Sequence, residues 1–506
     1  MKPHNSFSES ISQSRRSIDS LASTNVFSQP QEPVGNASKV QPPRSLAGFA
    51  SFLLGFHDSE VDVTPDLDDA WSVATKRRGV YNLFAVPAKL ERLIILGQFI
   101  CMDDFLTLFT FLPLRTGLSI IVILVEMLLA PLRMCFQRKR KAANVNKKPH
   151  AARFIDILHM SLLLITAGVL STVDVSWIYH NIRGQSVIKL YVVFNVIEIF
   201  DRLGSSFGVD ILDSLGWTAA SAVAFFSRGA IVQGYAAGGT DVAKARAVQG
   251  LALLTRMTFD YLATLVYVVV HALLLLTWVV TLNVAINTQN NALLTLLVSN
   301  NFVELKGAVF KSFKVQNLFQ ISCSDAVERF QLNIFLCVML LVTSGDKRLF
   351  TTWGVIYLCE VVVDWIKHAF VTKFNRIPYR VYHHFSLVIC DDMVKTRKHS
   401  LVRSIGGSAV SKRVGFVSLP LAALVIRMGF APAMTLPTPA LFMIFTSLVM
   451  FKTALSIGLI GHAYRKVKTV VPNASEIVGD DGDRDQDIYW HRKLINIERY
   501  DLIAKN

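Results

Sequence analysis

Residues 187–217 read VIKLYVVFNVIEIFDRLGSSFGVDILDSLGW, and this stretch decides how the rest of the chain is interpreted. Apolar residues run almost unbroken as far as Phe200, yet charged residues interrupt the stretch at spacings that a lipid-facing helix tolerates poorly. On a helix, Glu198 and Arg202 lie four residues apart and share a face. The glycines and serines at positions 204–208 predict a break before a second, short helix. The other charged residues of the stretch are Lys189, Asp201, Asp210 and Asp213. We therefore expect a bent helix pair packed against membrane spans, with its charges paired or offered to a partner.

Composition assigns the chain to the membrane proteins. Of its 506 residues 52% are apolar, the mean hydropathy is +0.42, and several apolar runs approach the ~20 residues that a bilayer-spanning helix needs. The predicted fold is all-α, a polytopic helical membrane protein with interfacial helices and about five to eight spans. The net charge of +15 does not indicate nucleic acid, because the basic residues cluster beside apolar runs, as they do in the cytosolic loops of membrane proteins.

The apolar runs divide the chain into three parts. Residues 1–69 form a Ser- and Pro-rich, then acidic, cytosolic tail. Its first ~50 residues hold too few apolar side chains to offset the entropy of ordering, so we predict that they are disordered. Residues 70–465 form the multi-pass transmembrane domain, and residues 466–506 form a cytosolic C-terminal tail.

Some spans are clearly marked. Residues 259–286 are the most convincing span, and His271 within it is predicted to be a packed, hydrogen-bonded histidine, since no second metal ligand stands nearby. Residues 155–179 are also predicted to cross the membrane. Residues 414–430 and 440–460 predict a hairpin of two spans around a proline-rich turn.

Other segments are ambiguous. Residues 81–100 are amphipathic and are expected along the membrane surface. Prolines and charges interrupt residues 105–134, so one tilted span and a re-entrant hairpin both stay open. Residues 211–226 are the candidate return crossing after the bent pair, and a basic, cytosolic loop is expected over 234–256.

A polar insert at 287–331 is lumenal by parity, but it becomes cytosolic if residues 332–342 and 350–365 both cross. Its lysines favour the cytosol. Several of its residues are candidates for partner binding or for a structural role. They are Asn300, Asn301, Glu304, Lys306, Asp325, Glu328 and Arg329.

A search for catalytic chemistry finds no GxGxxG, Walker, HExxH, GxSxG or CxxC motif. We therefore expect no enzyme, no cofactor and no metal site. The six cysteines are scattered, and they are predicted to be small buried apolar residues. The sequence DDMVK at 391–395 resembles part of a DDxxD metal motif, but a lysine stands where the third acid belongs.

Three carboxylates within or beside apolar runs support a different hypothesis. Glu126, Glu360 and Asp364 stand where a carboxylate suggests an ion or proton path, and Lys452 is a fourth charged residue within or beside a predicted span. A transporter or channel for ions or solutes is therefore the alternative function. Lys367 favours a simpler explanation, because it follows Asp364 by three residues and can neutralise it near the interface.

Four blocks of the chain closely resemble the transmembrane anterior posterior transformation protein family. They are IKLYVVFNVIEIFDRLGSSFGVDILDSL, TLNVAINTQNNALLTLLVSNNFVELKGAVFKSF, FQISCSDAVERFQL and DWIKHAFVTKFN. The resemblance covers roughly residues 70–465, and Gly204 and Val209 depart from the family pattern. It implies a multi-pass protein of the endoplasmic reticulum membrane. It further implies links to protein folding and quality control with a SUN-domain membrane partner or a calreticulin-type chaperone, or, in animals, to the centrosome, the ciliary basal body and development.

The favoured hypothesis is a non-enzymatic membrane scaffold. It binds partner membrane proteins or chaperones through two polar blocks, residues 187–217 and 300–330. In the first block the candidate residues are Glu198, Asp201, Arg202, Asp210 and Asp213.

Overall fold

The computed structural model is α-helical and contains no β-strand in the residues that it describes. These residues are 67–136, 148–227, 230–287, 305–307, 312–342, 347–398 and 409–470. The compact unit of the chain spans Ser72–Asn506, and a separate unit, Met1–Trp71, is described only where the first helix begins. The predicted disorder of the N-terminal tail lies outside the described residues.

The described residues form a series of helices. In chain order they are α1 (Leu67–Phe109), α2 (Phe111–Phe136), α3 (Lys148–Ser171), α4 (Val175–Arg183), α5 (Val187–Ser227), α6 (Ala230–Asn287), α7 (Val315–Val342), α8 (Lys347–Phe374), α9 (Val381–Lys398), α10 (Ala409–Val414), α11 (Ser418–Met434) and α12 (Thr438–Val470).

Among the described residues, five helical segments are long and apolar enough to cross a membrane. They are Val80–Glu126, Ala151–Ser171, Ile188–Ser227, Lys244–Asn287 and Thr438–Lys468. The polytopic helical fold is therefore confirmed. The predicted span 259–286 lies within α6. Of the two spans predicted over 414–430 and 440–460, the second lies within a candidate span of α12, whereas α11 holds only a short apolar segment, Ser418–Gly429.

Helix α5 runs without interruption through residues 187–217, so the predicted break at 204–208 is wrong. The missing side chains at Gly204 and Gly208 serve close packing instead. The Tyr267 hydroxyl on α6 donates to the Gly204 carbonyl at 2.9 Å, and a Cβ at Gly208 would collide with that hydroxyl. The stretch is therefore the first part of a candidate span, not a bent pair of short helices.

Two other predicted boundaries are wrong. The expected loop at 234–256 lies inside α6. The span predicted over 155–179 ends at Ser171, because Asp174 starts the separate helix α4 as its N-cap. One Asp174 carboxylate oxygen accepts from the backbone N–H groups of Ser176 and Trp177, at 2.9 and 3.3 Å.

Helix α1 enters the core of the protein. The segment 81–100 lies within it, and Val86, Leu90 and Ile94 are fully buried, so its apolar face packs against the protein itself.

Thr110 alone separates α1 from α2. Hydrogen bonds from Thr110 N to Leu106 O and from Leu114 N to Thr110 O continue the helical hydrogen-bonding pattern across it. Of the two alternatives for 105–134, the continuous path favours a single crossing.

Helix α7 is formed by the second part of the polar insert, so residues 315–331 are not a loop. Residues 288–304 lie outside the described part of the chain. Helix α7 lies close to α1, since a Cβ placed on Gly97 would be only 2.8 Å from the Cβ of Ala326. This contact brings the buried polar side chains of α1, α7 and α8 together.

Candidate functional site

Helices α5 and α6 are joined by a buried group of three polar side chains. His271 Nε2 lies 2.8 Å from Asp201 Oδ1, and His271 Nδ1 lies 2.8 Å from the Tyr267 hydroxyl. His271 and Asp201 are almost completely buried. The prediction that His271 is a packed, hydrogen-bonded histidine is confirmed. Asp201 is therefore enclosed by the protein and is not presented on its surface.

A second buried group is centred on Arg329, whose side chain has no exposed surface. Its Nε donates to Asp364 Oδ2 at 2.8 Å, and its Nη1 donates to both Glu91 carboxylate oxygens, at 3.1 and 3.0 Å. The indole of Trp365 donates to Glu91 Oε2 at 3.0 Å. One guanidinium thus holds two carboxylates from different helices, which suits its planar arrangement of donors.

The same group continues through Lys367. Its Nζ lies 2.8 Å from Asp364 Oδ1 and 2.9 Å from Asp325 Oδ1, so the predicted neutralisation of Asp364 by Lys367 is confirmed as an ion pair. Asp325 Oδ2 then lies 2.7 Å from His368 Nε2, and His368 Nδ1 lies 2.9 Å from the Tyr382 hydroxyl. This second tyrosine, histidine and aspartate group repeats the arrangement between α5 and α6. Together the contacts fasten α1, α7, α8 and α9 to one another.

The sequence did not identify Glu91, His368 or Tyr382 as site residues. Glu91 and Arg329 are 238 residues apart, so only the folded structure brings them together. Two predicted candidates for partner binding, Asp325 and Arg329, prove to be buried members of this group. Their described contacts are internal to the protein.

A third polar group links α1 with α12. Lys452 is fully buried, and its Nζ lies 2.5 Å from Asp103 Oδ1 and 3.1 Å from Ser456 Oγ. Ser456 also donates to Asp103 at 2.5 Å. Both helices contain candidate spans. A buried lysine needs such a partner, because an isolated ammonium is costly to remove from water.

The remaining predicted residues are spread over the molecule. Asp213 forms an ion pair with Lys412, and Glu126 lies 4.0 Å from Arg153. Lys306 is exposed in a short helical segment, 305–307. Three other candidates lie outside the described residues: Asn300, Asn301 and Glu304.

The two polar blocks meet at Arg202. Its Nη2 lies 2.8 Å from Glu198 Oε1, which confirms the predicted pair on one helix face, and 3.2 Å from Glu328 Oε2 on α7. Glu198 and Glu328 also line a cleft of about 560 Å³ of empty space, part of it open to solvent. Glu360 of α8 lines the same cleft. The cleft therefore brings together three predicted residues from three helices.

Asp210 has a different environment, because it lies on an exposed face of α5. Leu203, Phe207 and Trp217 share that face by helical spacing, and they are 60%, 57% and 64% exposed. Asp210 stands near the middle of the candidate span Ile188–Ser227. No side chain in the described part of the chain contacts it in a hydrogen bond or an ion pair.

Within the described ranges, no three histidine, cysteine, aspartate or glutamate side chains are grouped so that they can hold a metal ion. In the DDMVK sequence, Asp391 pairs with Lys395 at 2.6 Å and Asp392 pairs with Arg413. Burial raises the pKa of Asp392 to about 6, although the nearby Arg413 opposes the shift.

Comparison with known proteins identifies relatives over most of the chain. A model of the eukaryotic membrane protein family matches residues 149–468. The protein TAPT1 homolog of Dictyostelium discoideum is 38% identical over 444 residues, which cover 85% of this chain and 50% of the relative. The transmembrane anterior posterior transformation protein 1 homologs of Xenopus laevis and Homo sapiens are each 36% identical over 404 residues, or 78% of this chain.

The match covers 67% of the Xenopus laevis protein and 65% of the human one, so the chain spans about half to two thirds of the curated relatives named here. No solved structure matches the chain. The matched residues contain the joined groups on α5, α6, α7, α8 and α9. The resemblance seen in the four sequence blocks is thereby confirmed, and the chain belongs to the eukaryotic membrane protein family that includes the transmembrane anterior posterior transformation protein 1 homologs.

Proposed function

We propose that the protein is a non-enzymatic scaffold of the endoplasmic reticulum membrane, which binds a partner membrane protein through the exposed face of α5. The observation that carries this proposal is the position of Asp210. Helix α5 presents this carboxylate on the exposed face of a candidate span, and a carboxylate costs up to roughly 2.5–3.5 kcal/mol at the bilayer centre on insertion scales. That cost falls if a partner helix places a basic side chain against it.

The surroundings of Asp210 suit a helix as the partner. Leu203, Phe207 and Trp217 offer an exposed apolar surface along α5, while Asp210 supplies one charged position within it. Apolar contact gives packing, and a single ionic contact in a membrane interface fixes register. The partner is therefore a transmembrane helix with a lysine or arginine at matching depth.

The biological setting rests on the family resemblance. It suggests a SUN-domain membrane protein or a calreticulin-type chaperone as partner in protein folding and quality control, and roles at the centrosome, the ciliary basal body and in development in animals. The α5 face favours the membrane protein, because a soluble chaperone has no helix to place at membrane depth.

The alternative, a transporter or channel, has weaker support. Its three carboxylates lie in separate environments: Glu126 faces Arg153, Glu360 lines the cleft, and Asp364 is paired with Arg329 and Lys367. An ion-flux assay in liposomes tests this alternative, and a flux that is lost in Asp364→Asn but kept in the exposed control Asp241→Asn would favour it.

The scaffold proposal is tested by photo-crosslinking from the α5 face. A photoreactive amino acid at Phe207 is expected to give one defined membrane-protein adduct, and Asp210→Leu is expected to abolish it. The same label at Val266, a 63% exposed residue of α6, is the control and should not give that adduct. Asp241→Asn, which changes an exposed acid outside the candidate spans, should leave the adduct unchanged.

The adduct also identifies the partner. A basic residue in the crosslinked transmembrane helix, whose replacement by leucine lowers the crosslink yield, supports the proposal. Antibodies against the SUN-domain and calreticulin-type candidates then decide between them. Adducts with lipid alone, or an adduct that persists in Asp210→Leu, would overturn the proposal.

A further inference from the structure

The buried group of Tyr267, His271 and Asp201 contains more hydrogen-bond acceptors than a neutral histidine can serve. The Tyr267 hydroxyl has one proton and lies close to two atoms, the Gly204 carbonyl oxygen at 2.9 Å and His271 Nδ1 at 2.8 Å. A carbonyl oxygen can only accept, so the hydroxyl proton belongs to the contact with Gly204. His271 Nδ1 must therefore carry a proton of its own and donate it to the hydroxyl oxygen.

The other nitrogen of the same ring needs a proton as well. His271 Nε2 lies 2.8 Å from Asp201 Oδ1, and a hydrogen bond of this length requires a proton between the nitrogen and the oxygen. Because Nδ1 is already protonated, the pair is either an imidazolium with a carboxylate or a neutral imidazole with a carboxylic acid. Both forms hold one proton more than a neutral histidine beside an ionised aspartate, and both have no net charge.

A pair without net charge suits the position of this group. His271 and Asp201 are 3% and 5% exposed, and the helices that carry them contain candidate spans. Among the described residues, His271 is the one side chain that forms a hydrogen bond or an ion pair with Asp201. An ionised carboxylate withdrawn from water needs a compensating charge, and the additional proton supplies it.

Several charged side chains lie beside the group on α5 and α6 or on the helices packed against them, and their contacts lead elsewhere. They are Arg202 with Glu198 and Glu328, Asp260 with Thr218, Asp156 with Arg115, and Arg427 with the Leu170 carbonyl. None of them bonds to Tyr267, His271 or Asp201 in the described part of the chain. The same holds for His159 of α3 and His180 of α4, so no neighbouring cation takes the place of the proton.

The second tyrosine, histidine and aspartate group does not require this proton. The Tyr382 hydroxyl lies 2.9 Å from His368 Nδ1 and can donate to that nitrogen. His368 Nε2 then donates to Asp325, whose carboxylate also contacts the Lys367 ammonium. The two groups share their residue types, but in one of them an ammonium supplies the positive charge that a proton supplies in the other.

We propose that Asp201 and His271 form a proton-binding site between α5 and α6, which holds this additional proton in the folded protein at neutral pH. Loss of the proton leaves the imidazole with one hydrogen for two contacts. The carboxylate keeps that hydrogen on Nε2, so the Tyr267 hydroxyl turns from Gly204 to His271 Nδ1. The proton therefore decides whether α6 holds the α5 backbone at Gly204. The site is independent of the scaffold proposal, because Asp210 takes no part in it.

The first test reads the protonation of His271 in the full-length protein. Histidine labelled with a heavy nitrogen isotope is observed by NMR at pH 7.5 in an uncharged maltoside detergent, where a nitrogen that carries hydrogen differs in chemical shift from a bare one. The His271 signals are identified by their loss in His271→Gln or by their shift in Tyr267→Phe. A proton on Nδ1 is expected. A bare Nδ1 would overturn the proposal, because the Tyr267 hydroxyl would then donate to it.

Asp201→Asn tests the same point while keeping the contact. The asparagine amide can donate to Nε2, so every hydrogen bond of the group survives with a neutral imidazole and without the additional proton. Nδ1 is expected to keep its proton, and Nε2 is expected to become bare. A bare Nδ1 in this variant would count against the proposal, since it would show that Tyr267 donates to His271 and not to Gly204.

The second test counts the proton. Each protein is unfolded by concentrated urea at pH 7.5 in a weakly buffered solution that contains a pH indicator. An unfolded chain holds almost no proton on histidine or aspartate at this pH, so the wild type is expected to release about one proton more than Asp201→Asn. Asp241→Asn, which changes an exposed acid of α6, is the matched control and should release as much as the wild type. Equal release by the wild type and Asp201→Asn would overturn the proposal.

Discussion

His271 on α6 and Asp201 on α5 lie 2.8 Å apart, and their contact joins the two helices at buried polar positions. Replacing Asp201 by leucine leaves the imidazole without its acceptor, so we expect a loss of about 1–3 kcal/mol in the free energy of unfolding. Thermal unfolding of Asp201→Leu, His271→Leu and the double variant measures it. The double variant should lose less than the sum of the single ones. Strict additivity would show that the contact contributes nothing.

Asp210→Leu serves as the control for Asp201→Leu. Asp210 is exposed on the same helix, so its loss should leave the unfolding temperature unchanged or slightly higher. The sequence alone does not distinguish Asp201 from Asp210. In the structure Asp201 stabilises the fold, whereas the Asp210 side chain faces outward.

Arg329 is expected to be among the residues that tolerate substitution least. Arg329→Met leaves the Glu91 and Asp364 carboxylates without their shared guanidinium, and removing one partner of a buried ion pair costs about 3–5 kcal/mol. Arg329→Lys should recover little of this loss, because an ammonium cannot contact both carboxylates in the same plane. The amount of each variant that stays folded in detergent is measured by size-exclusion chromatography. Full recovery with lysine would contradict the prediction.

Gly97 and Gly168 provide a matched pair for testing helix packing. A Cβ at Gly97 would lie 2.8 Å from the Cβ of Ala326, whereas a Cβ at Gly168 has no atom within 4 Å. Gly97→Ala should therefore destabilise the protein by about 1–3 kcal/mol through overpacking. Gly168→Ala should be neutral or stabilising by up to about 1 kcal/mol, since alanine favours the helix. Similar unfolding temperatures for the two variants would show that α1 and α7 are not packed this closely.

Asp392 makes stability depend on pH. Burial raises its pKa to about 6, so the folded protein holds this proton more tightly than the unfolded chain does. The protonated form stabilises the fold below about pH 4, and that contribution is lost as the pH rises through 6. Relative to Asp392→Asn, the wild type should lose about 1–3 kcal/mol between pH 4 and pH 7.5. Thermal unfolding at both pH values tests this, and parallel curves for wild type and variant would contradict it.

The sequence predicted features that depend on neighbours along the chain. The membrane class, the span within α6, the contact of Glu198 with Arg202 and the contact of Asp364 with Lys367 all follow from composition or from a spacing of three or four residues. The N-cap Asp174 carried a local signal too, because an aspartate before an apolar segment is a standard helix start. The span predicted over 155–179 runs past this helix start and is therefore too long.

Features that depend on distant contacts were not predictable. A glycine breaks a helix in one setting and permits close packing in another, and only the neighbours on α6 decide between the two: His271 for Gly204 and Tyr267 for Gly208. Likewise, the polarity of Asp325 and Arg329 indicated that they lie on the surface of the protein. Their true partners, on α1 and α8, are charged side chains that sequence spacing does not connect with them.

The pairing of Asp103 with Lys452 has a consequence for how the protein is made. Ser456, which completes this group, follows Asp103 by 353 residues, so Asp103 is synthesised long before its ammonium partner. Until α12 has been translated, Asp103 lacks Lys452, and the contact between α1 and α12 cannot form. The packing of α1 is therefore completed only when the last described helix has been made, and a chain truncated before Lys452 keeps an acid without this partner.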